Sequence, residues 1–574
     1  MKTIREITEA HVYEIFDRFA NLVYEHGEDT EFYGIKVLAE KEGFVKGTLF
    51  NSTALLYVHY VKCGDERAEQ VGRMLNRFLR LVTSSVCKTW GKLSTLRGLV
   101  ALYDAGLLSV IDKELLNLSK KSTDYADFFD KENIKIINLP SNYIQVALAC
   151  AAFREKLGFE SDGYSSRICE VMSSVMSESL DGWMDEAPPY KRFDRYSFIV
   201  SSELSDNFEL AGLEFNPLFE SNLRLAAKHS LFMANRMGDG WNYGRSLSCH
   251  GDCAIAEVLS SALSRGLVED KDKPLALAYI GAITDKTVNY WYDKSRKSYN
   301  IWWDGRSTNG YRQVARVMQV NLDMGIHLLS TLNNLEVAGL ADTIPDTTLI
   351  PSPDSWCYDR IKFASGEYVS EAVVLRYGDI LSMLPLVGLG SHIHNSAYMP
   401  YPAICRSVES APEGQMPFLI PEYVKDGVHL RPTQYFKSVE IKEDYGKVLV
   451  SASGNLAVSD GKFPTDSGIP FSIKYTFFGK EITCEFSTEG ELDSATLIAG
   501  THGDGTSIEV FGFDTSRLVF TAPNPEDYSH FIVYNCTDEE RSAYKYMTPH
   551  GFVTEAYEYT VKNPSTVSYK INLI

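Results

Sequence analysis

A chain of 574 residues with 44% hydrophobic content is several times longer than one small core needs, and its 23% charged residues fall in no low-complexity block, which excludes a disordered chain and predicts two or more domains. Lysine and arginine number 56 against 76 aspartates and glutamates, a net charge of -20 that opposes long-range attraction to nucleic acid or anionic lipid. An acidic substrate stays open, because a local arginine or two inside a cleft suffices to bind one.

From the N-terminus, Arg5, Glu6, Glu9, Glu14, Asp17 and Arg18 leave no apolar stretch for a signal peptide. No run of about 18 apolar residues follows anywhere, so no membrane span is predicted. The ten dispersed cysteines read as reduced thiols, and together these features predict a cytoplasmic protein. Through about residue 340 the apolar spacing is helical, as in Val71, Met74, Leu75, Phe78, Leu79 and Val82, and again in Val314, Val317, Met318, Leu322, Ile326 and Leu329.

Within this helical part no sequence repeat occurs, but an organisational one does. Polar or aromatic clusters around Asn51, Trp90, Asn142, Asp194, Arg245 and Arg306 each lead into an apolar helix, at steps of 39, 52, 52, 51 and 61 residues. Two helices of about 15 residues with their loops occupy about 40–50 residues, so each step equals one helical hairpin. Six hairpins closing a ring, an (α/α)6 toroid over residues 1–345, would set the clusters at one end around a funnel. An irregular helical array with the clusters as surface loops is the alternative.

Pro345, Pro351 and Pro353 mark a linker, after which the period becomes two: Val448 and Val450, then Ile473, Tyr475 and Phe477, then Ile482, Cys484 and Phe486. Residues 346–574 are therefore expected to form an antiparallel β-sandwich, with turns at Asp460-Gly461 and Asp504-Gly505. The fold class is multidomain α+β. Residues 388–398, with His392 and His394, either reach back over the funnel or form a polar turn.

Three clusters carry candidate chemistry. In the segment 181–197, Asp185 and Asp194 are the candidate catalytic carboxylates, one acid and one base or nucleophile; Asp194 also stands where a helix N-cap would. In 238–252, Arg245 offers a planar fork for a uronate carboxylate or a salt bridge to a neighbouring helix, and Tyr243 and His250 are an acid–base pair or packed core residues. In 302–312, Trp303 and Arg306 suit a sugar ring, or else packing and a surface ion pair with Asp304. Asp252 and Asp304 are reserve carboxylates. Cys249, His250, Asp252 and Cys253 lie close together but lack a paired Cys-x-x-Cys spacing, so no metal is expected there, and no cofactor elsewhere.

The stretch Leu139-Pro140-Ser141-Asn142-Tyr143, then Gly182-Trp183-Met184-Asp185 with Phe193-Asp194-Arg195-Tyr196, then Tyr243-Gly244-Arg245-Ser246-Leu247, resembles in order and spacing the proteins grouped as domain of unknown function 2264. Over roughly residues 130–410, that resemblance implies an (α/α)6 toroid followed by a β-sandwich, and glycoside hydrolases that include exo-β-glucuronidases. It puts weight on Asn142, Asp185, Asp194, Tyr196, Arg245 and Ser246. Two departures stand out: Ser248-Cys249-His250 where the family has Thr, an aromatic and Arg, and Glu186 where it has Gly. The expected activity is hydrolysis of a uronic-acid-containing oligosaccharide or polysaccharide fragment. A lyase working by β-elimination and a non-catalytic glycan-binding protein are the alternatives, and a homo-oligomer is an open possibility.

Overall fold

The computed structural model describes residues 2–39, 43–137, 140–178, 180–187, 192–308, 314–387, 398–409, 418–458, 464–524 and 543–574. Up to residue 340 these form α1 (Ile4–His26), α2 (Phe44–Cys63), α3 (Ala68–Thr83), α4 (Thr89–Asp104), α5 (Lys113–Ser122), α6 (Tyr143–Lys156), α7 (Tyr164–Ser177), α8 (Arg195–Ala211), α9 (Pro217–Phe232), α10 (Cys249–Ser264), α11 (Lys273–Lys286) and α12 (Val317–Val337). Each even-numbered helix packs on the next, and α12 returns to α2, so α2, α4, α6, α8, α10 and α12 make a closed inner ring. The odd-numbered helices form the outer layer. The (α/α)6 toroid is thus present, and its inner helices all start at the same end.

Burial explains which helices went inside. Every residue of α10 from Cys249 to Leu263 is buried, whereas α3 buries only the stripe Val71, Gly72, Met74, Leu75, Phe78, Leu79 and Val82. Inner helices approach closely where side chains vanish: a Cβ on Gly47 of α2 would lie 2.3 Å from the Gly91 carbonyl oxygen of α4. Helix starts carry their own caps. Thr3 and Glu6 form a reciprocal capping box before α1, and Asn216 caps α9 ahead of Pro217.

One expected cluster sits differently. Asn51 lies in the middle of α2, 3% exposed, rather than in a loop at the funnel. A polar residue at a tight helix crossing, facing Gly98 of α4, reads in sequence like a loop residue.

The second part begins with β1 (Cys357–Ala364), β2 (Ser370–Tyr377), β3 (Ile380–Leu386) and β4 (Ala403–Ile404), an antiparallel sheet in the order β4-β3-β2-β1. An eleven-stranded antiparallel sheet built from residues 422–572 curls against it. The small sheet is the middle layer of the molecule. Val373, Leu375, Leu384 and Leu386 join the core of the large sheet, while Ala372, Val374, Leu381 and Met383 join the core of the toroid. Strict alternation along β2 and β3 therefore buries both faces.

Two-residue turns with positive φ occur at Asp426-Gly427 and Tyr445-Gly446 between paired strands. Asp504-Gly505 also turns with positive φ at Gly505, but the strands it joins, Ser494–Thr501 and Ser507–Phe511, pair with other partners, so the expected hairpin there is a crossover turn. Asp460-Gly461 lies outside the described residues.

Candidate active site

The loops at the starts of α6, α8 and α10 meet at the mouth of the ring. Asp194 caps α8, its Oδ1 accepting the Tyr196 amide proton at 2.9 Å. Its Oδ2 accepts from the Arg245 Nε at 2.8 Å and from the Tyr398 hydroxyl. Tyr398 follows β3 in the chain, so the β domain does reach the mouth; residues 388–397 lie outside the described residues. Gly244 makes this convergence sterically possible: at φ +85°, a Cβ there would sit 2.5 Å from the Asp194 Cβ. Ser246 and Ser248 hold positive φ values of 56° and 66° in the same loop, backbone strain of the kind that gathers at functional sites.

Arg245 stacks over the Tyr196 ring at 4.7 Å and pairs with Glu186 as well as Asp194. Glu186 also holds Arg192 at 3.0 Å. Its position, Gly in the resembled family, is here a 1% exposed carboxylate bridging two arginines. Burial raises the Asp194 carboxyl above the ordinary carboxylate range, opposed by Arg192, the Tyr398 hydroxyl, the Tyr196 amide and Arg195. Arg192, Arg195 and Arg245 thus gather around Asp194 and Glu186, with Asp185 on the Arg192 amide.

The remaining sequence candidates fall as follows. Asn142 lies at the start of α6, 5% exposed, with its Oδ1 lacking a hydrogen-bond partner among the described residues; its neighbour Ser141 donates its amide to the Glu186 carbonyl at 2.8 Å. Tyr196 and Ser246 are joined through their hydroxyls at 2.7 Å. Asp185 accepts from the Ala187 and Arg192 amides, each at 3.0 Å, and so closes the loop between them. Tyr243 is buried beneath Tyr398, its hydroxyl without a partner among the described residues, and burial together with Asp194 pushes its phenol well above its usual range. His250 lies inside α10, edge-on to His327 at 6.2 Å.

Trp303 is 4% exposed and packs edge-on to Trp302, presenting no open face to a sugar. Arg306 lies over Tyr290 at 4.7 Å and bonds the Asn300 carbonyl. Its expected partner Asp304 pairs instead with Arg296 at 3.0 Å. Asp252 is tied to Lys286, the Trp291 indole and the Gly240 amide, each at 2.7 Å, and is a structural clamp. Trp183 is buried in a stack with Phe198 and Trp241.

Deeper along the ring axis lie groups that the sequence reading passed over. Glu203 of α8 feels Arg97 of α4, Glu257 of α10 and His327 of α12, so it points inward, and burial lifts its carboxyl to about 7. Glu257 bonds the His327 Nδ1 at 2.5 Å. Neither glutamate stands apart in the sequence, because α8 also carries Asp206 and Glu209, and α10 also carries Asp252. A separate cavity of about 210 Å³ opens at the opposite end of the ring, lined by Ser205, Ser264, Arg265 and Asn334 among others. Among the described residues, no helix is long and apolar enough to cross a membrane.

No protein-family model and no curated protein matches the chain. Among solved structures, the chondroitin AC lyase of Streptomyces coelicolor A3 in complex with chondroitin sulphate superposes with a TM-score of 0.53 at 11% identity, over 98% of this chain and 79% of that one. The xanthan lyase of Paenibacillus superposes with a TM-score of 0.51 at 10% identity, over 99% of this chain. This chain spans 57% of that lyase's length. The likeness is one of fold. It extends through both the helical ring and the β domain.

Proposed function

We propose that the protein is a glycoside hydrolase acting on uronic-acid-containing glycans, a distant member of the group of domain of unknown function 2264. The observation that carries this reading is the Asp194 cluster: a buried carboxyl at the funnel mouth, raised by burial, with Arg192, Arg195 and Arg245 gathered around it. Three arginines gathered at the mouth of a chain of net charge -20 suit an anionic sugar. A carboxyl whose proton affinity burial raises suits donation to a glycosidic oxygen. In this reading Asp194 is the acid, Arg245 and Arg195 meet the uronate carboxylate, and Asn142, Tyr196 and Ser246 position the ring. Glu203 and Glu257 are the carboxylates within the same funnel from which the second group is drawn. The two solved structures of similar fold bear the names of chondroitin and xanthan lyases, which supports an anionic glycan as substrate.

Elimination is the second reading, and those names favour it. Against it stands Tyr243, whose phenol is pushed far above neutrality by burial and by Asp194, which makes its phenolate a costly base. Incubation with a panel of uronic-acid glycans separates the two. New reducing ends without the ultraviolet absorbance of an unsaturated uronate mean hydrolysis. Appearance of that absorbance assigns elimination, and neither signal assigns a binding protein.

A further inference from the structure

Where the β domain rests on the ring mouth, Cys405, Glu409 and His550 bring a thiol, a carboxylate and an imidazole within 4.8 Å of one another. Glu409 is 8% exposed. Its Oε1 meets the His550 Nδ1 at 2.8 Å, and its Oε2 meets the Thr548 hydroxyl at 3.0 Å and the His502 Nε2 at 3.3 Å. The His550 ring is packed beside Trp291 at 4.9 Å, and its Nε2, buried, has no hydrogen-bond partner among the described residues. The Asn242 amide, next to Tyr243, lies 4.0 Å from the Cys405 sulfur, and the Ser307 amide donates to the Thr548 carbonyl at 2.9 Å. The nearby Lys286 is committed to Asp239 and Asp252.

We propose that Cys405, Glu409 and His550 form a zinc site that staples the β domain to the mouth of the ring. Soft thiolate with imidazole and carboxylate is a zinc set; calcium and magnesium take oxygen ligands, and copper(I) favours sulfur throughout. Tetrahedral zinc with bonds of about 2.0–2.3 Å sets its ligand atoms about 3.3–3.8 Å apart, a contraction of up to about 1.5 Å from the present separations. His502 or a water takes the fourth position. A deprotonated thiol and carboxylate balance the ion's charge, and Thr548 orients Glu409 from outside. No metal is expected from the sequence, because the ligands come from two segments about 140 residues apart and match no spacing motif. The site stands independently of the glycan reading.

The test uses the full-length protein. After incubation with zinc and exhaustive dialysis, one zinc per chain is expected, and cobalt in its place should show the near-ultraviolet thiolate-to-metal charge-transfer band. Cys405→Ser should abolish that band, His550→Ala should weaken binding at least about a hundredfold, and Thr548→Val should weaken it about tenfold. Wild-type protein that retains no stoichiometric metal, or a charge-transfer band that survives in a folded Cys405→Ser chain, overturns the assignment. Should Cys405→Ser not fold, the wild-type cobalt spectrum and Thr548→Val decide.

Discussion

The Arg245 guanidinium reaches across from the α10 loop to donate from Nε to the Asp194 Oδ2 at 2.8 Å, linking the starts of two neighbouring inner helices. Neither group is more than 8% exposed, so the pair is a buried one whose members depend on each other. Its geometry decides what single substitutions should do.

Asp194→Asn keeps the cap acceptor for the Tyr196 amide but cannot deliver a proton. Turnover of a uronoside should fall at least about a hundredfold while ligand affinity changes only a few-fold. Arg245→Lys keeps the charge yet loses the fork that spans Asp194 and Glu186, so it should cost about 2 kcal/mol of stability and weaken uronates more than neutral sugars. Kinetics, calorimetry and denaturant titration on both variants check whether the two defects separate.

Tyr398→Phe removes one donor from the Asp194 carboxylate. That donor lowers the carboxyl's proton affinity, so its loss should raise it further. The alkaline limb of the kcat/KM profile, set by loss of the acid's proton, should move to higher pH. A limb that moves to lower pH would remove Asp194 from the acid role.

Gly244→Ala meets two penalties at once, a positive φ and a Cβ 2.5 Å from the Asp194 Cβ. It should destabilise the chain by about 2–4 kcal/mol and depress turnover with it, because the loop carrying Arg245 must shift. Thermal melting and activity should fall together, in contrast with Asp194→Asn.

Glu203 tests the ring axis. Its carboxyl titrates near 4.5 when unfolded and at about 7 when folded, so between these values the folded state holds the extra proton and stability falls as pH rises. Glu203→Gln should therefore stabilise the protein by about 1–3 kcal/mol at about pH 8 and by nothing at about pH 4. Unfolding by urea at the two pH values reads the difference.

Local pattern determined the outline of this protein. The steps between polar clusters marked the hairpins, because each inner helix needs a fixed length of chain to return to the same end. The switch from helical to alternating spacing marked the β domain, and Asn142, Asp194 and Arg245 stood out as polar residues shortly before largely buried helices. Only the tertiary structure decided which of them are joined. Closure of the ring sets Asp194 against Arg245 and places Tyr398 from the β domain over both. It also turns Trp303 inward, and gathers Glu203, Glu257 and His327 from three helices around one axis. Those relations depend on long-range packing, where burial and partner charge set each group's proton affinity, and residue spacing along the chain carries no record of either.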